Sequence, residues 1–128
     1  MRPIPKSILI HSAVLVTEYS PDLWGKSTES SAAPLDNVRI DPCRTTITDS
    51  KSQTITLSAN LFFDCVNSSC AVPFYLEGDK DGDGKIVKNQ FVEWHGRRYG
   101  VKIIEPIYDN KKLHHYEVGL ISHMISER

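Results

Sequence analysis

The sequence predicts a mainly β protein, either a small antiparallel β-barrel or a sandwich, with long loops between its strands. Helical periodicity is scarce, because no longer segment spaces its apolar side chains by three and four residues without β-branched runs or turn residues. Short runs rich in β-branched and aromatic residues recur instead, and stretches rich in Ser, Asp, Asn, Gly and Pro separate them. With 128 residues, 40% of them hydrophobic, we expect a single domain over residues 1–128.

Six or seven short strands are predicted, which suits a compact antiparallel architecture. The first contains the apolar run Ile8–Val16, which is too short to span a bilayer and carries the polar residues His11 and Ser12. We therefore expect a strand there and no membrane association. The predicted strands are Ser7–Tyr19, Asp36–Ile40, Thr54–Phe63, Val72–Leu76, Gln90–Trp94, Arg98–Ile104 and His114–Ser122.

The clearest predicted hairpin turns at His95 and Gly96, which can supply the positive φ angles of a two-residue turn. Strand alternation after this turn places Ile103 on the core side and Ile104 on the opposite side. We expect much of the core to come from the residues on one face of these last strands. These residues are Trp94, Tyr99, Val101, Ile103, Tyr116, Val118 and Leu120.

Two polar stretches interrupt the strand plan. Ser20–Pro34 is rich in Ser and Ala and is predicted to be a mobile loop. Cys43–Gln53 is rich in Thr and Ser and lies between two convincing strands. A long polar excursion inside a compact domain is usually either functional or disordered.

The charge balance and the cysteines limit the class of protein. There are 15 basic and 16 acidic residues, which argues against a dedicated nucleic-acid binder but leaves local patches open. Cys43, Cys65 and Cys70 have no Cys-x-x-Cys spacing, so a reducing compartment is favoured over a secreted disulfide framework. No nucleophile elbow, phosphate-binding glycine loop or His-Glu-x-x-His motif is present, so we expect no enzyme and no cofactor.

The sharpest local motif is an acidic loop that resembles the first part of an EF-hand calcium site. Asp79, Asp81 and Asp83 occupy loop positions one, three and five, which is the spacing that converges carboxylates on one cation. Position twelve is Gln90, so the bidentate glutamate of a complete site is missing. A true EF-hand and opportunistic calcium binding are therefore both weaker interpretations than a solvated acidic turn.

Histidines and cysteines do not form a metal site in the sequence. Cys65 and Cys70 lack two further ligands at workable spacing for zinc. His114 and His115 are adjacent, so on a strand they are expected to face opposite sides of the sheet.

Several stretches in order resemble the minor capsid proteins encoded in the head-morphogenesis clusters of phages and prophages of Firmicutes. That family in turn resembles the head-completion, or stopper, proteins of long-tailed phages. The resemblance covers nearly the whole chain, with the charged loop Asp79–Lys85 as the departure from the pattern. The stretches are Ile4-Pro5-Lys6 with Leu9-Ile10-His11-Ser12, Val38-Arg39-Ile40-Asp41-Pro42, Ala59–Asp64, Ile104–Asp109 and Leu113–Ile121.

The resemblance implies a small β-barrel that assembles as a homo-oligomeric ring in the virion neck, beneath the portal and adaptor. Such a ring forms part of the channel for packaged DNA and offers a docking surface to a tail-side protein. The protein is expected to pass through the host cytoplasm during assembly. Within virion biology, a tail-terminator or another tail-joining ring protein is the alternative. A calcium-dependent binding module is the alternative from a different class.

The resemblance also implies which residues meet DNA. In the stopper family the loop after the matching strand end points into the channel and helps to retain DNA. In this chain that loop starts at Pro42 and covers Cys43–Thr54, with Arg44 and Lys51 near phosphates and Arg39 beside them if its strand face turns inward. Such contacts are independent of base sequence and sensitive to salt. The alternative is a flexible hairpin that touches only a neighbouring subunit.

Overall fold

The computed structural model describes residues 2–20, 30–48, 52–82 and 84–123, and these residues form an all-β fold. The mainly β class that the sequence predicted is confirmed. Within the described ranges, no helix is present that could cross a membrane. The strands are β1 (His11–Tyr19), β2 (Ser30–Thr48), β3 (Thr54–Asp64), β4 (Val87–Trp94), β5 (Arg97–Asp109) and β6 (Lys112–His123).

The six strands form one antiparallel sheet that closes on itself in the order β1-β2-β3-β6-β5-β4. Closure is visible at β1, which pairs on one side with β2 and on the other with β4: Val14 lies opposite both Pro34 and Glu93. Closure pairs β1 on both sides along Val14–Glu18, whereas among the described residues Thr45–Thr48 of β2 and Ile103–Asp109 of β5 pair with one neighbouring strand only. Contact with other molecules can therefore use these strand edges as well as side chains and turns.

β2 is much longer than predicted, and parts of both polar stretches belong to it. Its start, Ser30–Pro34, pairs with β1, so this part of the predicted mobile loop Ser20–Pro34 is strand, while residues 21–29 lie outside the described residues. Its end, Thr45–Thr48, pairs with the start of β3. Threonine is β-branched and suits a pleated surface, so a polar run can be an exposed strand as well as a loop.

The predicted strand Val72–Leu76 is wrong, because this segment joins no ladder of the sheet. Pro73 has no N–H to donate to a neighbouring strand. Val72 and Phe74 instead pack against the core, and the Phe74 ring meets Phe63 edge-on at a centroid distance of 5.7 Å. The segment lies over the barrel interior as an irregular cover.

Alternating residues of all six strands fill the barrel interior, as the two-residue period of a β-strand requires. Each fully buried aliphatic side chain contributes about 1.5–3 kcal/mol relative to its exposed state. The most deeply buried side chains of this core are Leu15, Leu35, Val38, Ile40, Leu61, Val92, Val118 and Leu120.

The predicted core holds except where a β-bulge shifts the register of β5. Tyr99, Val101, Val118 and Leu120 are buried, and Trp94 and Tyr116 are partly buried against the same cluster. Between Val101 and Ile103 the pairing with β6 shifts by one residue, because Lys102 is extra. After a bulge the inward and outward positions exchange. Ile104 therefore packs on the core in place of the predicted Ile103.

The predicted turn between β4 and β5 is confirmed. His95 and Gly96 have φ angles of 50° and 73°, the left-handed values that a tight two-residue hairpin requires. An ideal Cβ at Gly96 would meet no atom within 4 Å, so the turn stands open to its surroundings.

The antiparallel topology defines two ends of the barrel. Because neighbouring strands run in opposite directions, the start of β1 lies at the same end as the turn between β4 and β5 and the connection between β2 and β3. We call this the His11 end, and it includes His11, Thr48, Thr54, Trp94, Arg97 and His123. The opposite Tyr19 end includes Tyr19, Ser30, Asp64, Val87, Asp109 and Lys112.

Candidate functional site

The first of the predicted DNA-contact residues, Arg39, is already engaged within the barrel. Its Nε donates to Asp41 Oδ1 at 2.8 Å, and a terminal guanidinium nitrogen donates to the carbonyl of Ile8 at 3.5 Å. Both charged side chains are more than one-third exposed, at 37% and 45%. Arg39 is thus a surface cation with most of its charge balanced by a neighbour.

Arg44 is exposed and lies where β2 carries an extra residue between Pro42 and Thr45. It is five positions from Arg39 on the same strand, a separation of about 16 Å at the usual rise per residue. The structure therefore does not bring these two arginines together. Lys51, the third predicted contact, lies outside the described residues.

The segment Cys43–Thr54 is not a long loop as predicted. Cys43–Thr48 belongs to β2, Thr54 begins β3, and Thr48 lies opposite Thr54 in the ladder. Its described residues form a two-stranded arm of Thr45–Thr48 and Thr54–Leu57 in place of the predicted excursion, and residues 49–51 lie outside the described residues. These strands were not predicted because the arm carries threonines at exposed positions, and an exposed strand shows no alternation of apolar and polar residues.

A cluster of aromatic rings at the His11 end was not recognised in the sequence as a site. The Trp94 ring meets the His11 ring edge-on, with ring centroids 4.8 Å apart. It also contacts the His95 ring at a tilt, with centroids 4.3 Å apart. The Tyr99 ring lies on the core side of Trp94, with ring centroids 6.2 Å apart, and connects Trp94 to the core. The sequence signal is Trp94-His95-Gly96-Arg97-Arg98, two aromatic residues and two arginines around a tight turn.

This turn surrounds a surface cleft of about 380 Å³, which is lined by the continuous run Glu93–Arg98. Arg98 donates from Nε to Glu93 Oε2 at 3.0 Å and stacks over the Phe91 ring at 5.0 Å. Arg97 is exposed and has no ion-pair partner among the described residues. The cleft therefore combines an aromatic wall with one satisfied and one unsatisfied guanidinium; we call it the Trp94 cleft.

His11 is held in one tautomer beside this cleft. Its Nδ1 accepts a hydrogen bond from the backbone N–H of Ile40 at 3.0 Å. Burial lowers the pKa of His11, the charge of Arg39 lowers it further, and Asp41 opposes both effects. A neutral ring whose Nδ1 accepts must carry its proton on Nε2, so His11 offers an N–H donor on its other side.

The Tyr19 end carries a different network, which contradicts the expectation that His114 and His115 face apart. Their Nδ1 atoms lie 2.7 Å from each other. His114 Nε2 also contacts the carbonyl oxygen of Arg2 at 2.5 Å, and His115 Nε2 contacts Glu117 Oε2 at 2.9 Å. The pair thereby connects the start of β6 to the N-terminal segment.

Asp64 fixes the same N-terminal segment from β3. Its side chain is fully buried and accepts backbone N–H groups from Ile4 at 2.9 Å, Val66 at 3.0 Å and Asn67 at 2.8 Å. The Asn67 amide donates back to the Ile4 carbonyl at 2.8 Å. Leu9 is buried further along. Residues 2–10 therefore form a strap across the outside of β6, β3 and β2.

The acidic loop uses its described carboxylates to close turns. Asp79 Oδ2 accepts the N–H of Leu76 at 2.8 Å, and Asp81 Oδ1 accepts that of Lys85 at 2.9 Å. Asp83 lies outside the described residues. Across the described parts of the chain, no group of three His, Cys, Asp or Glu side chains could hold a metal ion. The loop is a hydrogen-bonded turn at the Tyr19 end.

Gln90, at the twelfth loop position, points away from the loop. Its Oε1 accepts the N–H of Tyr75 at 2.7 Å, and its Nε2 donates to Thr17 Oγ1 at 3.1 Å and to the Pro73 carbonyl at 2.9 Å. The side chain is buried in the barrel. This position therefore anchors the irregular cover segment to the barrel, a role that the loop spacing did not predict.

Fold and site together define an antiparallel β-barrel protein whose contact chemistry is divided between its two ends. Residues 5–120 match the family model described as minor capsid protein, and because this match spans most of the chain, the protein belongs to the minor capsid protein family. The sequence-based identification of this family is confirmed. Comparison with curated proteins gave no match. Family membership gives the chain a structural role in the phage virion.

Proposed function

We propose that the protein is a subunit of a homo-oligomeric ring in the virion neck, where it completes the head after DNA packaging. In this role it joins a portal-side or adaptor protein to a tail-side protein and helps to retain DNA. The function is architectural and non-enzymatic, without cofactor or membrane. The protein passes through the host cytoplasm during assembly.

The observation that carries this proposal is the chemical difference between the two barrel ends. The His11 end presents the exposed arginines Arg44 and Arg97 on two hairpins. The Tyr19 end presents the acidic segment Glu77–Asp81, which contains three carboxylates and one lysine, and the exposed lysines Lys111 and Lys112 at the turn between β5 and β6. One end thus carries arginines beside aromatic rings, and the other carries a mixture of carboxylates and lysines. A subunit that joins two different neighbours along one axis needs two unlike faces, whereas a shell component repeated by symmetry does not.

The closed sheet supports the same proposal. Closure of the sheet pairs β1 on both sides, so in the described ladders the strand edges left unpaired lie toward the barrel ends, at Thr45–Thr48 of β2 and Ile103–Asp109 of β5. Contacts between subunits are therefore expected at the barrel ends. A head-to-tail interface closes into a ring when the rotation between subunits closes. A ring of such subunits surrounds a channel and repeats each weak DNA contact by its copy number.

Electron cryomicroscopy of the intact neck of purified virions tests the proposal directly. We expect a ring of this protein between the adaptor and the first tail layer, with the two barrel ends facing different proteins. A ring on the tail side alone would support the alternative, a tail-terminator or other tail-joining protein. Absence from the neck would contradict both.

A gene deletion separates the two virion alternatives. Without a head-completion protein, heads should fill but lose DNA before tails attach. Without a tail terminator, heads should keep their DNA while tails grow to irregular lengths. Stable filled heads with normal tails would contradict a head-completion role.

The arm formed by the end of β2 and the start of β3 is proposed as a DNA contact, with Arg44 and Lys51 as its cations and Arg39 at its base. Deletion of the connection 49–53 should still allow heads to be built but should let DNA leak from them. Arg44→Ala tests the charge alone and should give a milder leak. Heads that stay filled after the deletion would remove this role and leave the neck position intact.

A further inference from the structure

We propose that the Trp94 cleft binds a phosphate group of duplex DNA, so that the hairpin between β4 and β5 is a second DNA contact. This inference deepens the proposed channel function and names a site that the β2–β3 arm does not include. It is carried by four observations on the described residues around Trp94.

The first observation is a concentration of hydrogen-bond donors without acceptors. Arg97 is exposed and, among the described residues, has no charged partner. The indole N–H of Trp94 has no hydrogen-bond partner in the same part of the chain, whereas His11 packs against Trp94 outside the residues that line the cleft. Guanidinium and indole N–H groups are suited to phosphate oxygens.

The second observation is the state of the single carboxylate that lines the cleft. Glu93 is paired with Arg98 at 3.0 Å, so its charge is already balanced. Arg97 then leaves the lining with a net positive charge. An anion that enters the cleft meets no unpaired negative group among the lining residues.

The third observation is that the backbone at the turn is accessible. Gly96 has a φ of 73° and open space where a side chain would project. A ligand can therefore approach the backbone N–H groups of the turn closely, as phosphates commonly do at glycine turns. The tight turn also fixes the directions in which His95 and Arg97 leave it.

The fourth observation is the rigidity of the aromatic wall. Trp94 is wedged between His11 and His95 and is connected to the core through Tyr99. Arg98 is pinned by Glu93 and by the ring of Phe91. The Trp94 indole is thus held in place before a ligand arrives, which reduces the entropy lost on binding.

An open cleft with one free arginine suits a polymeric phosphate better than a small anion. Contacts to a DNA backbone are individually weak, and non-specific sites have a Kd of about 10⁻⁴–10⁻⁶ M at physiological salt. Several copies in a ring strengthen such a contact through effective concentration. Free inorganic phosphate offers the same oxygen acceptors, but its affinity does not increase when several copies of the cleft are arranged in a ring.

The test is a heteronuclear NMR titration of the purified protein with a short duplex DNA, which detects binding even at a Kd of about 10⁻⁴ M. We expect saturable shifts of the Trp94 indole N–H, the Gly96 amide and the Arg97 Nε–H signals. These shifts should decline with added salt. Unmoved signals at these three groups, with the protein folded, would overturn the proposal.

Substitutions identify the charge responsible. Arg97→Ala should weaken DNA binding several-fold and reduce the slope of log K against log salt by about one, whereas Arg97→Lys should retain the slope. Lys88→Ala is the matched control, because Lys88 is an exposed cation near the Tyr19 end. Equal effects of Arg97→Ala and Lys88→Ala would also overturn the proposal.

Inorganic phosphate distinguishes the two sources of the ligand. If it shifts the same three signals and DNA does not, the cleft is a small-anion site and the DNA proposal is wrong. If DNA binds through Arg97 but virions lack the protein in their neck, the DNA site is supported and the proposed neck function is wrong. If the neck contains the ring and Arg97→Ala binds DNA like the wild type, the neck function is supported and the DNA site is wrong.

Discussion

The Nδ1 atoms of His114 and His115 lie 2.7 Å apart, in the middle of a chain of three hydrogen bonds from the Arg2 carbonyl to Glu117. The carbonyl and the carboxylate only accept, so each Nε2 must donate a proton. Both rings are therefore oriented with Nε2 toward these oxygens, between the N-terminal segment and β6.

These contacts predict the tautomer of both rings. In long-range ¹⁵N spectra of the histidine side chains, we expect both rings to carry a proton on Nε2. His114→Phe keeps a ring but removes its polar contacts with Arg2 and His115, and it should cost about 1–2 kcal/mol of unfolding free energy. Amide exchange in residues 4–9 should accelerate in this variant. Spectra in which either ring lacks the Nε2 proton would contradict the network.

A second prediction concerns the buried carboxylate that holds the same strap. Asp64 accepts three backbone N–H groups and has no ion-pair partner among the described residues, so an amide nitrogen in place of one oxygen would face a donor. Asp64→Asn should therefore cost about 1–3 kcal/mol. Asp41→Asn is the control, since it breaks only a half-exposed ion pair and should cost less than about 1 kcal/mol. Equal melting of wild type and Asp64→Asn would refute the anchoring role.

Three misjudged features of the fold coincide with one extra residue in a strand. Lys102 is extra in β5 and turns Ile104 inward, and His114 is extra in β6, between the pairs of Leu113 and His115. A third bulge lies beside Arg44 in β2. A bulge re-aims the side chains that follow it. Alternation predicts strands well, but nothing in the sequence marks where a residue is inserted.

The candidate site was predictable only in part for a related reason. The turn at His95 and Gly96 is local chemistry, so the sequence specified it correctly. The contact of His11 with Trp94 joins residues distant in sequence through the closure of β1 on β4, which no local pattern encodes. The family resemblance indicated the virion role. It did not indicate the position of this cleft.

A third prediction follows from the lowered pKa of His11. Its pKa in the folded protein lies below the unfolded value of 6.5. Below pH 6.5 the unfolded chain binds this proton first, so the free energy of unfolding falls as the pH drops toward the folded pKa. His11→Asn removes the titration and keeps an acceptor for the Ile40 N–H. Its stability should depend less on pH below about 6.5. Identical pH profiles would contradict this.

A fourth prediction concerns calcium. Asp79 and Asp81 already accept backbone N–H groups, and Gln90 is directed into the barrel, so the loop lacks the ligand set of a strong site. Calorimetry should show calcium binding weaker than about 10⁻⁵ M, below the range of sensor sites. Micromolar binding that is abolished by Asp79→Asn would instead favour the calcium-dependent binding module. A melting temperature that rises with calcium would support the same alternative.

The last prediction concerns the close approach of Leu57 to Gly119. A Cβ on Gly119 would lie 2.9 Å from Leu57 Cδ1, 3.1 Å from Leu57 Cδ2 and 3.6 Å from the Cβ of Ile103. The Ile103 contact is an ordinary van der Waals distance, so only the methyl groups of Leu57 must move, and they have little room because Leu57 is buried. Overpacking of this kind costs about 1–3 kcal/mol, which outweighs the gain of about 0.5–1 kcal/mol from replacing glycine in a strand.

Gly119→Ala should therefore destabilise the barrel, and shortening Leu57 should relieve it. Leu57→Val alone removes one buried methylene, at a cost of about 0.8 kcal/mol. The double variant should be more stable than the sum of the two single changes by at least about 0.5 kcal/mol, as expected for residues in contact. Chemical denaturation of the four proteins measures this coupling. Strict additivity would show that Gly119 is not confined by Leu57, and that another constraint favours glycine there.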